Sequence, residues 1–188
     1  SGTVTRSIPA PYHLGDVVAL TPVPAAGWSF SAWSGACTGS GACSVTMDAA
    51  KTVTATFTQS AYTLTITSLH GTVAKSPDKA TYTLGEVVQL TATPAAGWSF
   101  ANWSGDATGT TNPVSVTMNG NRAVTVNYTQ NEYILTVNTV GSGTVTRSIP
   151  APYHLGDVVA LTPMPTAGWS FSAWSGACTG SGACSVTM

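Results

Sequence analysis

Residues 97–105 read GWSFANWSG, and the string stands twice more, as GWSFSAWSG, at 27–35 and 168–176. Along an extended strand, side chains alternate between two faces. Trp28, Phe30 and Ala32 then share one face, and Ser29, Ser31 and Trp33 the other. Trp28 and Phe30 are core candidates on this reading. Trp33 points outward unless a bulge near Ala32 turns it back. Two uses stay open for Trp33, Trp103 and Trp174. They pack beneath the following loop and roof a small core, or they stand exposed as ligand contacts, stacking on sugar rings or on the next copy.

Around these strings the whole chain repeats. Residues 1–47 return as 142–188 with two changes, Val23 to Met164 and Ala25 to Thr166. A diverged copy lies between them, and Trp28, Trp98 and Trp169 are spaced by 70 and then 71 residues. Repetition at this period marks a tandem array of small units. The units are read as 1–60, which lacks its first strand, 61–131, which is complete, and 132–188, which lacks its last strand. The chain reads as a window on a longer protein, with an open sheet edge at each end that invites strand pairing.

The complete copy carries five or six strand signals and no segment of helical period. Tyr62–Thr67 alternates apolar and polar residues, Thr72–Lys75 returns after a turn, and Glu86–Ala92 and Trp98–Trp103 follow, separated by Thr93–Gly97. Val114–Met118 and Arg122–Tyr128 flank Asn119-Gly120, a strong hairpin signal. The fold class is all-β: a tandem array of small antiparallel units of about 70 residues. Val88, Leu90, Val116, Val124, Val126, Leu64, Ile66 and Tyr128 are the expected core. Linkers of about four residues, at 58–61 and 129–132, leave little freedom between units.

Composition narrows the function. Charged residues are 7% of the chain and the net charge is −1, against about 25% charged residues in ordinary domains. Nucleic acid needs a basic footprint that is absent here. No apolar run is long enough for a membrane span. A surface with so little charge has weak protection against association, so copies of the chain itself are expected partners, end to end or side by side.

Cys37 and Cys43, and Cys178 and Cys184, stand in identical CTGSGAC loops. The middle copy has Ala107 and Val114 in their place, so each pair is present or absent together, as bonded partners are. Zinc sites favour tighter Cys spacing with His close by, and these loops hold no His. Closing so short a loop is worth about 2–2.5 kcal/mol in the chain-entropy model. Disulfides place the protein in an oxidising compartment, outside the cytosol.

Catalytic signals are absent from this reading. His13 and His154 correspond to Thr83, the carboxylates are scattered, and no nucleophile elbow or phosphate loop occurs. No enzyme activity, cofactor or metal is expected.

The ordered string Gly-Thr-Val, Tyr-x-x-Gly-[Asp/Glu]-Val-Val-x-Leu-Thr, Pro-x-Ala-Gly-Trp-Ser-Phe-x-x-Trp-Ser-Gly, Ser-Val-Thr-Met and Val-Thr-[Ala/Val]-x-[Phe/Tyr] resembles the divergent internalin-B-type B-repeat. The resemblance covers essentially the whole chain in three registers. It implies a bacterial extracellular or cell-surface protein with small β-rich, β-grasp-like units, some with a short helix, that serve as spacer, stalk or adhesive array. The expected function is a structural segment of a surface fibre, filament or adhesin stalk. The alternatives are a multivalent carbohydrate-binding array using surface Trp, with glycans as partners, or accessory repeats of a secreted enzyme.

Overall fold

A computed structural model describes residues 1–188. Every regular element in it is a β-strand. The middle unit sets the pattern. Its strands are β6 (Leu64–Ser68), β7 (Gly71–Ser76), β8 (Val87–Pro94), β9 (Trp98–Gly105), β10 (Val114–Thr117) and β11 (Arg122–Gln130). They form two three-stranded sheets, ordered β10-β8-β7 and β6-β11-β9.

One core lies between the sheets. β8 alternates strictly, with Val88, Leu90 and Ala92 inward and Val87, Gln89 and Thr91 outward. Val116 from β10, Val124 and Val126 from β11, and Trp103 from β9 meet them, with Leu64, Ile66 and Tyr128 packed at the margin. Burying a Val or Leu side chain contributes about 1.5–3 kcal/mol. Tyr82 and Met118 are also nearly inaccessible, at 1% and 0% exposure; Met118 continues the alternation of Val114 and Val116, whereas Tyr82 lies outside the strands.

The topology corrects one expectation. Asn119-Gly120 does not close a hairpin. β10 pairs antiparallel with β8, and β11 leaves for the other sheet. Met118 is the pivot. Its N–H donates to the Glu86 carbonyl, its carbonyl accepts from Gly85 N–H, and its side chain plugs the core. These bonds hold the end of β10 against the first sheet, while Arg122 N–H bonds Thr63 C=O beside β6. β11 then pairs with β6 in parallel and with β9 antiparallel. The family's short helix and a β-grasp's helix-over-sheet layout have no counterpart, because the second sheet covers the first.

The first unit contains β1 (Gly2–Arg6), β2 (Val17–Pro24), β3 (Trp28–Gly35), β4 (Cys43–Thr46) and β5 (Val53–Gln59). Its sheets are β1-β2-β4 and β3-β5. The third unit holds β12 (Gly143–Arg147), β13 (Val158–Pro165) and β14 (Cys184–Thr187) in a single sheet of order β12-β13-β14.

Candidate functional site

The feature common to all three units is the second Trp of the motif and the loop folded over it. β3 carries a bulge between Phe30 and Ala32, and β9 an equivalent irregularity opposite Asn127 and Tyr128. One extra residue reverses the facing of all that follow. Trp33 and Trp103 therefore turn inward, to 3% and 1% exposure. Their indole N–H groups donate to Gly41 and Thr111 carbonyls at 3.1 and 3.0 Å. Trp174 keeps the same bond, to Gly182 at 3.0 Å, but is only half-buried. The reading of Trp33 and Trp103 as exposed sugar platforms is thereby corrected, since their ring faces are covered. The first Trp of the motif precedes the bulge and lies at the rim. Trp28 and Trp98 are half-buried rather than central. Trp98 stacks on His70 with centroids 3.6 Å apart, and Trp169 is 59% exposed.

The loop over the buried Trp is closed in two ways. In the outer units Cys37 is bonded to Cys43 and Cys178 to Cys184, with Cα–Cα distances of 5.8 and 5.7 Å. Cys43 and Cys184 are themselves core residues. In the middle unit Asn112 does the closing. Its Oδ1 accepts from Ala92 N–H at 2.9 Å and its Nδ2 donates to Ala92 C=O at 2.8 Å. The outer units have Pro22 and Pro163 where the middle one has Ala92. Proline has no N–H to offer, so the amide clamp fits only the unit without cysteines. The sequence carried this exchange, although the Asn112 signal is visible only once the loop is folded.

A second anchor is also particular to the middle unit. Asp106 accepts from Ala123 N–H at 2.7 Å and from Arg122 Nη1 at 2.6 Å. The Ala123 bond first, and Arg122 second, hold this carboxyl below the usual Asp range. The LeuGly-Asp/Glu turn is a third, shared by all units. Asp16, Glu86 and Asp157 accept from the N–H of His13, Thr83 and His154 at 2.7, 2.6 and 2.8 Å. Glu86 is also lowered, mainly by its hydrogen bond with Lys79 and then by Thr83 N–H. These carboxylates organise turns.

No three His, Cys, Asp or Glu side chains gather in a metal-binding group. Two grooves flank the outer cores. One, of about 550 Å³, is lined by Leu135, Val137, Phe171, Trp174 and Val186; the other, of about 460 Å³, by Val4, Tyr12, Val18, Leu20 and Val53. In the middle unit the corresponding flanks are covered by β11 and β6. No helix is long and apolar enough to cross a membrane.

An all-β chain of three like units, each with a Trp-roofed core and a locally closed loop, is a tandem-repeat protein. The divergent InlB B-repeat family model matches residues 1–61, 62–132 and 133–188, and the chain belongs to that family. No curated protein and no solved structure matches the chain.

Proposed function

We propose that the chain is a structural segment of a bacterial extracellular or cell-surface fibre or stalk. The observation that carries this reading is the unbroken succession of family units from one end of the chain to the other. Trp33 and Trp103 hold cores, and Asp16, Glu86, Asp106 and Asp157 hold turns. Disulfides in the outer units suit an oxidising location, and the low charge suits contact between copies of the chain. A glycan-reading role loses two of its three expected carriers with the burial of Trp33 and Trp103, while Trp174 is half-buried.

Electron microscopy of native material tests the proposal. Each unit should contribute a step of roughly 30 Å, from the scaling of compact domains. Filaments or cell-surface strands with that regular step are the expected result. Isolated globular particles attached to no fibre or surface would contradict it.

A further inference from the structure

The joints between units repeat as faithfully as the units do. At the first joint, Gly27 C=O accepts from Ser60 N–H in the linker at 2.8 Å. Ser60 leads into Tyr62, which exchanges two backbone bonds with Tyr82, at 2.8 and 2.9 Å. Tyr82 leads into Leu84, and Leu84 returns to Gly27. A Cβ placed on Gly27 would lie 2.7 Å from the Leu84 Cβ, so only glycine admits this approach. Gly27 also has φ of +74°, a second reason for glycine. The contacts form a closed ring that crosses the joint twice.

The second joint is the same ring one unit on. Gly97 C=O accepts from Asn131 N–H at 2.8 Å, and Tyr133 N–H donates to Tyr153 C=O at 2.7 Å. A Cβ on Gly97 would meet the Leu155 Cβ at 2.9 Å. Linker side chains latch both rings, Ser60 with Ser29 at 3.2 Å and Asn131 with Ser99 at 2.5 Å. Away from the joints, the same residues are bare. Leu14 is 86% exposed, and nothing lies within 4 Å of a Cβ built on Gly168.

We propose that the Tyr-x-Leu-Gly loop of each unit is a docking element whose partner is the Gly-Trp turn of the preceding unit of the same kind. The joint then fixes the orientation between neighbours, and both joints adopt one geometry. A linker of a few residues that is bonded at its start and paired at its end has no free dihedral left to act as a swivel. Leu14 and Gly168 are the two halves of the same joint, shaped for further units of this type. The inference deepens the structural reading and rests on it for its purpose, but its test is separate from microscopy of native material.

Pulsed electron–electron resonance on the full chain measures the geometry. Spin labels go on Thr21→Cys, Thr91→Cys and Thr162→Cys, which are exposed and equivalent on β2, β8 and β13. The native cysteines are all bonded. The 21/91 and 91/162 pairs should each give one narrow distance peak, at matching distances. Leu84→Ser should widen the first peak at least twofold and leave the second unchanged. Leu155→Ser should do the reverse, and Leu14→Ser neither. Gly27→Ala should act like Leu84→Ser by pushing the leucine off its seat. Slow amide exchange at Val88 and Leu90 would confirm that the variants remain folded. Broad peaks in the unaltered chain, or a first peak indifferent to both Leu84→Ser and Gly27→Ala, would overturn the docking joint. Those results would leave a flexible stalk, which the microscopy judges independently.

Discussion

Residues 1–47 and 142–188 agree at 45 of 47 positions, yet they do not share one structure. Their first sheets are the same. Gly2 pairs with Pro24 as Gly143 does with Pro165, and Val17 with Thr46 as Val158 with Thr187. Their second sheets differ. Trp28–Gly35 is strand β3, paired with β5. Residues 169–176 have the same sequence but form no strand, only an isolated bridge from Trp174 to Gly180. The loop and its tryptophan are therefore local, because the roof over Trp174 forms without the strand. The sheet beneath is not local, because it needs a closing strand whose residues lie 18 to 31 positions further along.

The difference runs the other way at the leading strand. The third unit begins with Tyr133, which pairs with Tyr153; Tyr153 is then 2% exposed and its hydroxyl donates to Ile149 C=O. Tyr12, its twin, has no such pair, is half-buried, and its hydroxyl lacks a partner. The first unit lacks only the leading strand, while the third forms no counterpart of β6, β9 or β11, and each shows what the missing pieces do. β11 completes the second sheet, and the leading strand seats the tyrosine of the Leu-Gly turn.

Four results would break or sharpen this comparison. The largest effect belongs to Trp103. Trp103→Ala should cost the middle unit about 3–5 kcal/mol, as for a fully buried aromatic. Trp174→Ala should cost clearly less, because that ring is half-exposed. Unit-resolved hydrogen exchange in urea reads both, and equal losses would refute the difference in packing. Next comes reduction. Breaking the disulfides should destabilise each outer unit by about 2–2.5 kcal/mol and leave the middle unit unmoved. A uniform response would mean that the disulfides act on the array as a whole.

How much of this was legible beforehand depends on distance along the chain. The alternation of β8 and the paired appearance of the cysteines are local signals, and they describe the first sheet and the loop. The facing of Trp33 turned on a single bulged residue, which alternation alone cannot place. The split of β10 and β11 between sheets was hidden. Asn119-Gly120 announces a turn in either case, and the alternation that buries Met118 with Val116 does not say which sheet the next strand joins. The parallel pairing of β6 with β11 joins residues almost sixty apart, beyond any periodicity. Asn112 escaped notice because a lone Asn in a loop has no signature until its partner, Ala92, is known.

That residue supplies the third prediction. Asn112→Ala removes two bonds to a nearly buried backbone and should cost the middle unit about 1–2 kcal/mol, with no change outside it. Thermal unfolding monitored unit by unit checks this. An undiminished middle unit would show that the amide clamp does not replace the disulfide. The smallest effect is with pH. Asp106 has a lowered pKa, so its contribution is present above the usual carboxylate range and is lost as pH falls through the lowered value. The outer units have Ala36 and Ala177 there. Acid should therefore speed exchange at the Ala123 amide of the middle unit while the equivalent corner of the first unit does not respond. Parallel responses at both corners would remove Asp106 as the cause.

The most direct measurement is hydrogen exchange of 28–35 against 169–176 in a polypeptide of residues 1–188, using peptides that include Val23 and Ala25 or Met164 and Thr166 to tell the copies apart. The account predicts slow exchange through Trp28–Gly35, where β5 is paired, and fast exchange through 169–176, with only the Trp169 and Trp174 amides retained by their bonds to the Thr166 and Gly180 carbonyls. Equal protection of the two stretches would contradict it. The second sheet would then be a property of the local sequence rather than of the strand that closes it.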